Sequence, residues 1–144
     1  MNLAFFLKPK SMVTYLYDDY SLRKGITKLL ESGFSALTVL TREGKYAGVV
    51  SEGDFLRYLA DRAHSMEELH ETKLSAILHT DRAQAVPITT SMEDLLSMAA
   101  EQNFVPVTDD FGSFIGIIRR SDIIRYFASK ETEARSVCNV SITD

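Results

Sequence analysis

Gly48-Val49-Val50-Ser51-Glu52-Gly53-Asp54 and Gly116-Ile117-Ile118-Arg119-Arg120-Ser121-Asp122 follow one pattern, 68 residues apart. In each, a glycine and two β-branched residues run into a polar turn that ends on an aspartate. The same shift places Val39, Gly44, Arg57, Tyr58 and Ala60 on Val107, Gly112, Arg125, Tyr126 and Ala128. With Gly48 and Asp54 this makes seven identities in the 22 positions from Val39 to Ala60. Val49/Ile117, Val50/Ile118 and Leu56/Ile124 keep their residue type. Upstream the shift becomes 70, with Ser21-Leu22 on Ser91-Met92, so the second copy is two residues shorter between its first helix and the next strand. The chain is an internal repeat.

Each copy has the same order of elements. In the first, Val13–Leu16 is a short β-prone run and Ser21 an N-cap. Leu22, Ile26, Leu29 and Leu30 then form one apolar helix stripe. Ala36–Leu40 and Tyr46–Ser51 are strands around the Thr41–Lys45 turn, followed by a helix from about Asp54 to Arg62. In the second, Ser91 stands three residues before Asp94 at the start of a helix carrying Leu95, Leu96 and Ala99. Val105–Thr108 and Phe114–Ile118 flank Asp109-Asp110-Phe111-Gly112, and Ser121–Ser129 is the last helix. The expected fold is α+β: two pseudo-symmetric β-α-β-β-α repeats packed sheet to sheet around a pseudo-two-fold axis. A unit of about 60 residues is marginal alone, which favours such pairing. Residues 1–66 form the first repeat, 67–130 the second and 131–144 a polar C-terminal tail without apolar period. Ala63–Leu69 is expected to be a polar connector.

Composition narrows the function. The chain has 144 residues, 45% hydrophobic and 25% charged, with a formal charge of −4, the balance of an ordinary globular protein. No cluster of Lys and Arg points to nucleic acid. No apolar run reaches the roughly 20 residues needed to cross a bilayer, and Met1–Pro9 has neither basic leader nor cleavage site. The single cysteine, Cys138, can make no internal disulfide, so the cytoplasm is the expected compartment. Asn139-Val140-Ser141 fits a glycosylation pattern that a cytoplasmic chain would not use.

Catalytic patterns are weak. His64, His70 and His79 have no partners at metal-ligand spacing. Ser51 stands one place too late for a G-x-S-x-G elbow, and a Ser51 hydrolase would lack a base. The repeated turn offers something else. A helix N-terminus presents N–H groups and a positive dipole end to a phosphate. There the Ser51 hydroxyl can add a hydrogen bond, and Arg119 and Arg120 charge-assisted ones. An aspartate at the same turn can accept from the two hydroxyls of a ribose. Each residue also has a structural reading: Asp as N-cap, Ser51 bonding its own backbone, the arginines as a solvated turn.

With Ser35-Ala36-Leu37-Thr38-Val39, Val105-Pro106-Val107 and the two glycine-to-aspartate segments, the chain from about Leu3 to Lys130 resembles a tandem pair of CBS domains, or Bateman module, of the stand-alone bacterial kind. The resemblance implies a regulatory module without catalysis or metal. It would bind an adenine nucleotide (AMP, ADP, ATP, S-adenosylmethionine or cyclic di-AMP) in clefts between the repeats and signal to a partner protein. It assigns phosphate to Ser51 and ribose to Asp54. In the second copy Asp122 keeps the ribose role; Arg119 replaces the usual Ser or Thr, so Arg119 or Arg120 would contact phosphate. Adenine is expected against Met12, Val13 and Thr14, against Phe34, Ser35 and Ala36, and against Asn103 and Phe104. A homodimer and an effector protein are further implied. The competing reading is a protein–protein adaptor whose clefts are vestigial.

Overall fold

The computed structural model describes residues 2–61, 65–79 and 83–143, with side chains through residue 135. His64 and the Arg62–Ala63 junction lie outside the described residues, as do the side chains of Cys138 and of Asn139–Ser141.

In chain order the elements are β1 (Lys8–Pro9), β2 (Tyr15–Tyr17), α1 (Leu22–Ser32), β3 (Ala36–Leu40), β4 (Tyr46–Ser51), α2 (Glu52–Asp61), α3 (Met66–Glu71), β5 (Val86–Pro87), α4 (Met92–Glu101), β6 (Phe104–Thr108), β7 (Phe114–Arg119) and α5 (Arg120–Thr143). Single 3₁₀ turns at Leu3–Phe5 and Leu74–Ala76 precede the two repeats. One sheet has the order β2-β3-β4, the other β1-β7-β6-β5. Both repeats pair a parallel first strand with an antiparallel hairpin, and both hairpins carry a register shift one residue before their turn, at Val39/Leu40 and Val107/Thr108. The fold is the expected α+β pair.

Local chemistry explains the helix ends. Ser21 accepts from the Lys24 N–H at 3.1 Å and Ser91 from the Asp94 N–H at 3.1 Å, the two caps expected from sequence. Gly33 closes α1 in the left-handed region, with φ of 76°, where an L side chain is strained. Behind these helices lie two cores. Leu16, Val39, Val50 and Leu74 are fully buried in the first; Leu95, Val105, Val107 and Ile118 in the second. Each such side chain contributes roughly 1.5–3 kcal/mol by leaving water.

Core membership follows an exchange. Leu3 and Phe6, ahead of the first repeat's sheet, pack in the second core, whereas Leu74 and Ile77, ahead of the second repeat's strands, pack in the first. β1 accordingly pairs with β7, Lys8 opposite Ile117, and His79 bridges to Val49. Gly116 and Gly48 make room for these approaches. A Cβ at Gly116 would stand 2.2 Å from the Lys8 carbonyl oxygen, and one at Gly48 2.9 Å from that of His79. The hairpin tips of the two repeats also meet: Lys45 bridges to Ser113, and the Phe114 N–H donates to the Gly44 carbonyl at 2.9 Å.

Four sequence expectations are corrected. The first strand is Tyr15–Tyr17, so Val13 and Thr14 precede it. The connector contains the helix α3, capped by Ser65 on the Glu68 N–H at 3.2 Å, and Leu69 packs on the first core. α2 starts at Glu52, which makes Asp54 its third residue instead of its cap. Finally, α5 continues through Thr143, so residues 131–143 are helical backbone. Ion pairs one turn apart, Arg135–Glu131 at 2.8 Å and Lys130–Glu133 at 3.5 Å, support the start of that extension, where residues 130–135 are exposed.

Candidate functional site

A cleft of about 400 Å³ has walls from both repeats. From the first come Met12, Val13 and Thr14 ahead of β2, then Phe34, Ser35 and Ala36 leading into Leu37 and Thr38 of β3. From the second come Asn103 and Phe104 at the start of β6 and Arg119, Arg120 and Ser121 at the β7–α5 turn. Lys8, Ile117 and Ile124 complete the lining. Parallel pairing of β2 with β3 puts their N-terminal ends side by side, which is why the residues ahead of both strands share a rim.

Ten of the thirteen residues singled out in the sequence therefore meet in this cleft. The remaining three do not line it. Asp122 faces an adjoining open trough with Lys8, Met12, Arg119, Phe5 and Tyr126. Ser51 and Asp54 belong to the β4–α2 turn, the pseudo-equivalent of the β7–α5 turn.

The arginines are anchored within the protein. Arg119 Nε and Nη2 donate to the two carboxylate oxygens of Asp122 at 2.8 and 3.1 Å, a bidentate pair, and Arg125 Nη1 reaches Asp122 Oδ1 at 3.4 Å. The Arg119 guanidinium holds the Asp122 carboxyl below the usual carboxylate range against the opposing effect of burial, with Arg125 and Lys8 adding to it. Arg120 turns the other way. Its Nε donates to the Ala99 carbonyl at 2.7 Å, its Nη2 to Ala100 at 3.4 Å and its Nη1 to Asn103 Oδ1 at 3.0 Å. It thereby satisfies carbonyls left open at the end of α4.

At the β4–α2 turn, Asp54 Oδ2 accepts from the Ser51 N–H at 2.9 Å and Ser51 Oγ from the Asp54 N–H at 3.2 Å. This is a capping box, so both residues have a structural role. Arg57 Nη2 reaches Asp54 Oδ1 at 2.6 Å and His79 Nε2 lies 3.6 Å from the same oxygen. Burial works to raise the Asp54 carboxyl, but the Ser51 N–H, the Arg57 guanidinium, the Ser51 hydroxyl and His79 outweigh it and hold it low.

Sequence reasoning missed Lys8, Thr38 and Ser121. A fainter echo would have led to Lys8. At a shift of 71, Leu3, Phe6, Leu7 and Lys8 fall on Leu74, Ile77, Leu78 and His79, the two exchanged segments. Lys8 beside Asp122 thus corresponds to His79 beside Asp54.

Paired β-α-β-β-α repeats with exchanged leading segments and a cleft between them define the class of two-repeat modules. The CBS domain profile matches residues 9–61 and 74–129. The chain belongs to the CBS domain family, as a tandem pair. The crystal structure of CbpB in complex with c-di-AMP superposes with a TM-score of 0.87 at 24% identity, covering 94% of this chain and 90% of that one. CBSX2 in complex with AMP gives 0.71 at 21%, covering 90% and 98%. The L-aspartate semialdehyde sulfurtransferase of Methanocaldococcus jannaschii is 23% identical over 115 residues. That match spans 80% of this chain but only 21% of the enzyme's own length. No helix among the described residues is long and apolar enough to cross a membrane.

Proposed function

We propose that this chain is a non-catalytic sensor that binds an adenine nucleotide in the cleft between its repeats and passes the bound state to a partner protein in the cytoplasm. The observation that carries this reading is the cleft itself. Its volume lies within the roughly 300–1,000 Å³ of small-molecule sites, its wall is mainly apolar, and its charged groups, Arg119 and Arg120 at the β7–α5 turn and Lys8 on the strand paired with β7, lie on one side. Adenine would lie between Met12–Thr14 and Phe34–Ala36, against Asn103 and Phe104. Asp122 would accept from the ribose and the arginine-bearing turn would face phosphate, with Ser51 and Asp54 in the corresponding roles at the other turn. CbpB with c-di-AMP and CBSX2 with AMP support the ligand class.

A homodimer belongs to this proposal. Leu56 and Leu59 on α2 and their repeat partners Ile124 and Phe127 on α5 are 67%, 40%, 59% and 46% exposed, an apolar face in duplicate. Sedimentation of the wild-type chain and of Leu56→Glu with Ile124→Glu tests it; a monomeric wild type removes it.

One observation favours the adaptor reading. Asp54 and Asp122 are both engaged by arginines, so a ribose must displace or share those contacts. A thermal-shift screen with AMP, ADP, ATP, cyclic di-AMP and S-adenosylmethionine separates the two. A ligand at 100 times its Kd adds about 2.7 kcal/mol, a rise of several degrees. We expect a shift that Asp122→Ala loses; no shift with any of the five leaves the adaptor.

A further inference from the structure

We propose that Lys8, delivered by the exchanged N-terminal segment, is the cation that binds the ligand's phosphate. The inference rests on the nucleotide reading above and deepens it. The sequence offered Arg119 and Arg120 for this role, but both guanidiniums are already committed. Arg119 closes on Asp122 through two hydrogen bonds, and Arg120 holds the end of α4 through two backbone carbonyls and Asn103. Moving either to a phosphate would break bonds that hold the turn together.

Lys8 differs on each count. It lines both the cleft and the adjoining trough, so it stands where the two join. Among the described residues no hydrogen bond or ion pair engages its ammonium. It is half-buried, and its charge is felt at Asp122, on the second repeat's turn. The backbone that carries it is fixed: Lys8 pairs with Ile117, and its carbonyl packs against the Cα of Gly116. A mobile four-carbon arm on a fixed base, with three donors at its tip, suits a phosphate whose position varies between ligands. A phosphate at this junction leaves the inner cleft for the base. Whatever the phosphate carries beyond it is directed over Phe5 and Tyr126, whose rings lie 5.1 Å apart.

Binding would then add a ligand-dependent contact to the pairing that already holds the N-terminal segment on the second repeat. The test is calorimetric titration of the full chain with AMP, cyclic di-AMP and adenosine, on wild type, Lys8→Ala and Lys8→Arg. A lost charge-assisted hydrogen bond corresponds to roughly a ten- to hundredfold loss of affinity. That loss is expected in Lys8→Ala for whichever of AMP and cyclic di-AMP the wild type binds, while adenosine binding stays within about twofold and Lys8→Arg restores the phosphate-dependent part. Equal affinity of wild type and Lys8→Ala for the phosphorylated ligand overturns the role of Lys8 and leaves the nucleotide reading intact. An equal loss for adenosine also overturns it, because the side chain would then be supporting the cleft and not the phosphate. Failure of the wild type to bind either phosphorylated ligand overturns both.

Discussion

Replacing Gly116 by alanine tests the exchange on which the cleft depends. The added Cβ would stand 2.2 Å from the Lys8 carbonyl oxygen and 2.9 Å from Leu7 Cδ1. Carbon–oxygen contacts settle near 3.3 Å or beyond, so β1 must retreat by about 1 Å. The nearest obstacle is backbone, and no rotamer change relieves it. Retreat strains the two-residue pairing with β7 and unseats Leu3 and Phe6, which are 2% and 7% exposed. Overpacking alone costs about 1–3 kcal/mol. Full release of the two side chains sets an upper bound of roughly 3–6 kcal/mol. We expect about 3 kcal/mol and a Tm lower by roughly 6–12 °C. Gly33→Ala is the control: nothing lies within 4 Å of its Cβ, so only the left-handed backbone, φ 76°, is penalised, at about 1–2 kcal/mol. Urea unfolding measures both, and amide hydrogen exchange of Leu3–Lys8 locates the damage, which should appear in Gly116→Ala only. Stability within about 0.5 kcal/mol of wild type, or unchanged exchange in that segment, would refute the reasoning.

Further outcomes are expected. Arg120→Ala should destabilise by about 1.5–3 kcal/mol, since it uncaps α4, and Arg120→Lys should recover only part of this; amide exchange at Ala99–Asn103 checks it. Ser51→Ala removes half of a capping box and should cost about 1 kcal/mol, read by urea midpoint, with Asp54 keeping Arg57. For pH, the Asp122 carboxyl is held below the ordinary aspartate value of 3.8. The stability it contributes is complete above that value and is lost as pH falls through the lowered one. Arg119→Gln should therefore lower stability at neutral pH and flatten the acid limb, the two chains converging at the acid end; parallel limbs in urea midpoints would contradict this.

The sequence made the hairpins and helix caps legible because they rest on local signals: alternating strands around Gly44 and Gly112, and Ser21 and Ser91 ahead of apolar stripes. The helical run beyond Ser129 lacks such a signal. Its described side chains face solvent, so it has no apolar stripe, and what supports it is ion pairing between residues one turn apart. α3 did carry one, Ser65 three residues before Glu68, but a six-residue helix is too short to show a period. At the β4–α2 turn the spacing is legible and the partners are not, because Arg57 and His79 reach Asp54 through the fold. Ser51 and Asp54 show the spacing of a capping box, and the structure forms that box; a ligand role would have to be served by the same atoms.

The exchange of leading segments bears on how a ligand could be sensed. Phe34–Ala36 lead into the first repeat's hairpin and Arg119–Ser121 lead out of the second's into α5. Met12–Thr14 join β1, docked on the second sheet, to β2, paired within the first. A molecule in the cleft therefore touches both repeats and the strap between them. Any change in the placement of one repeat against the other alters the cleft's width. By the same linkage, a ligand that fits one width better biases the placement by the difference in its affinities. A ligand held by one repeat alone would have no such leverage, however tightly it bound. The strap is short, from Pro9 at the end of β1 to Tyr15 at the start of β2, so displacement of β1 is transmitted directly to the edge of the first sheet.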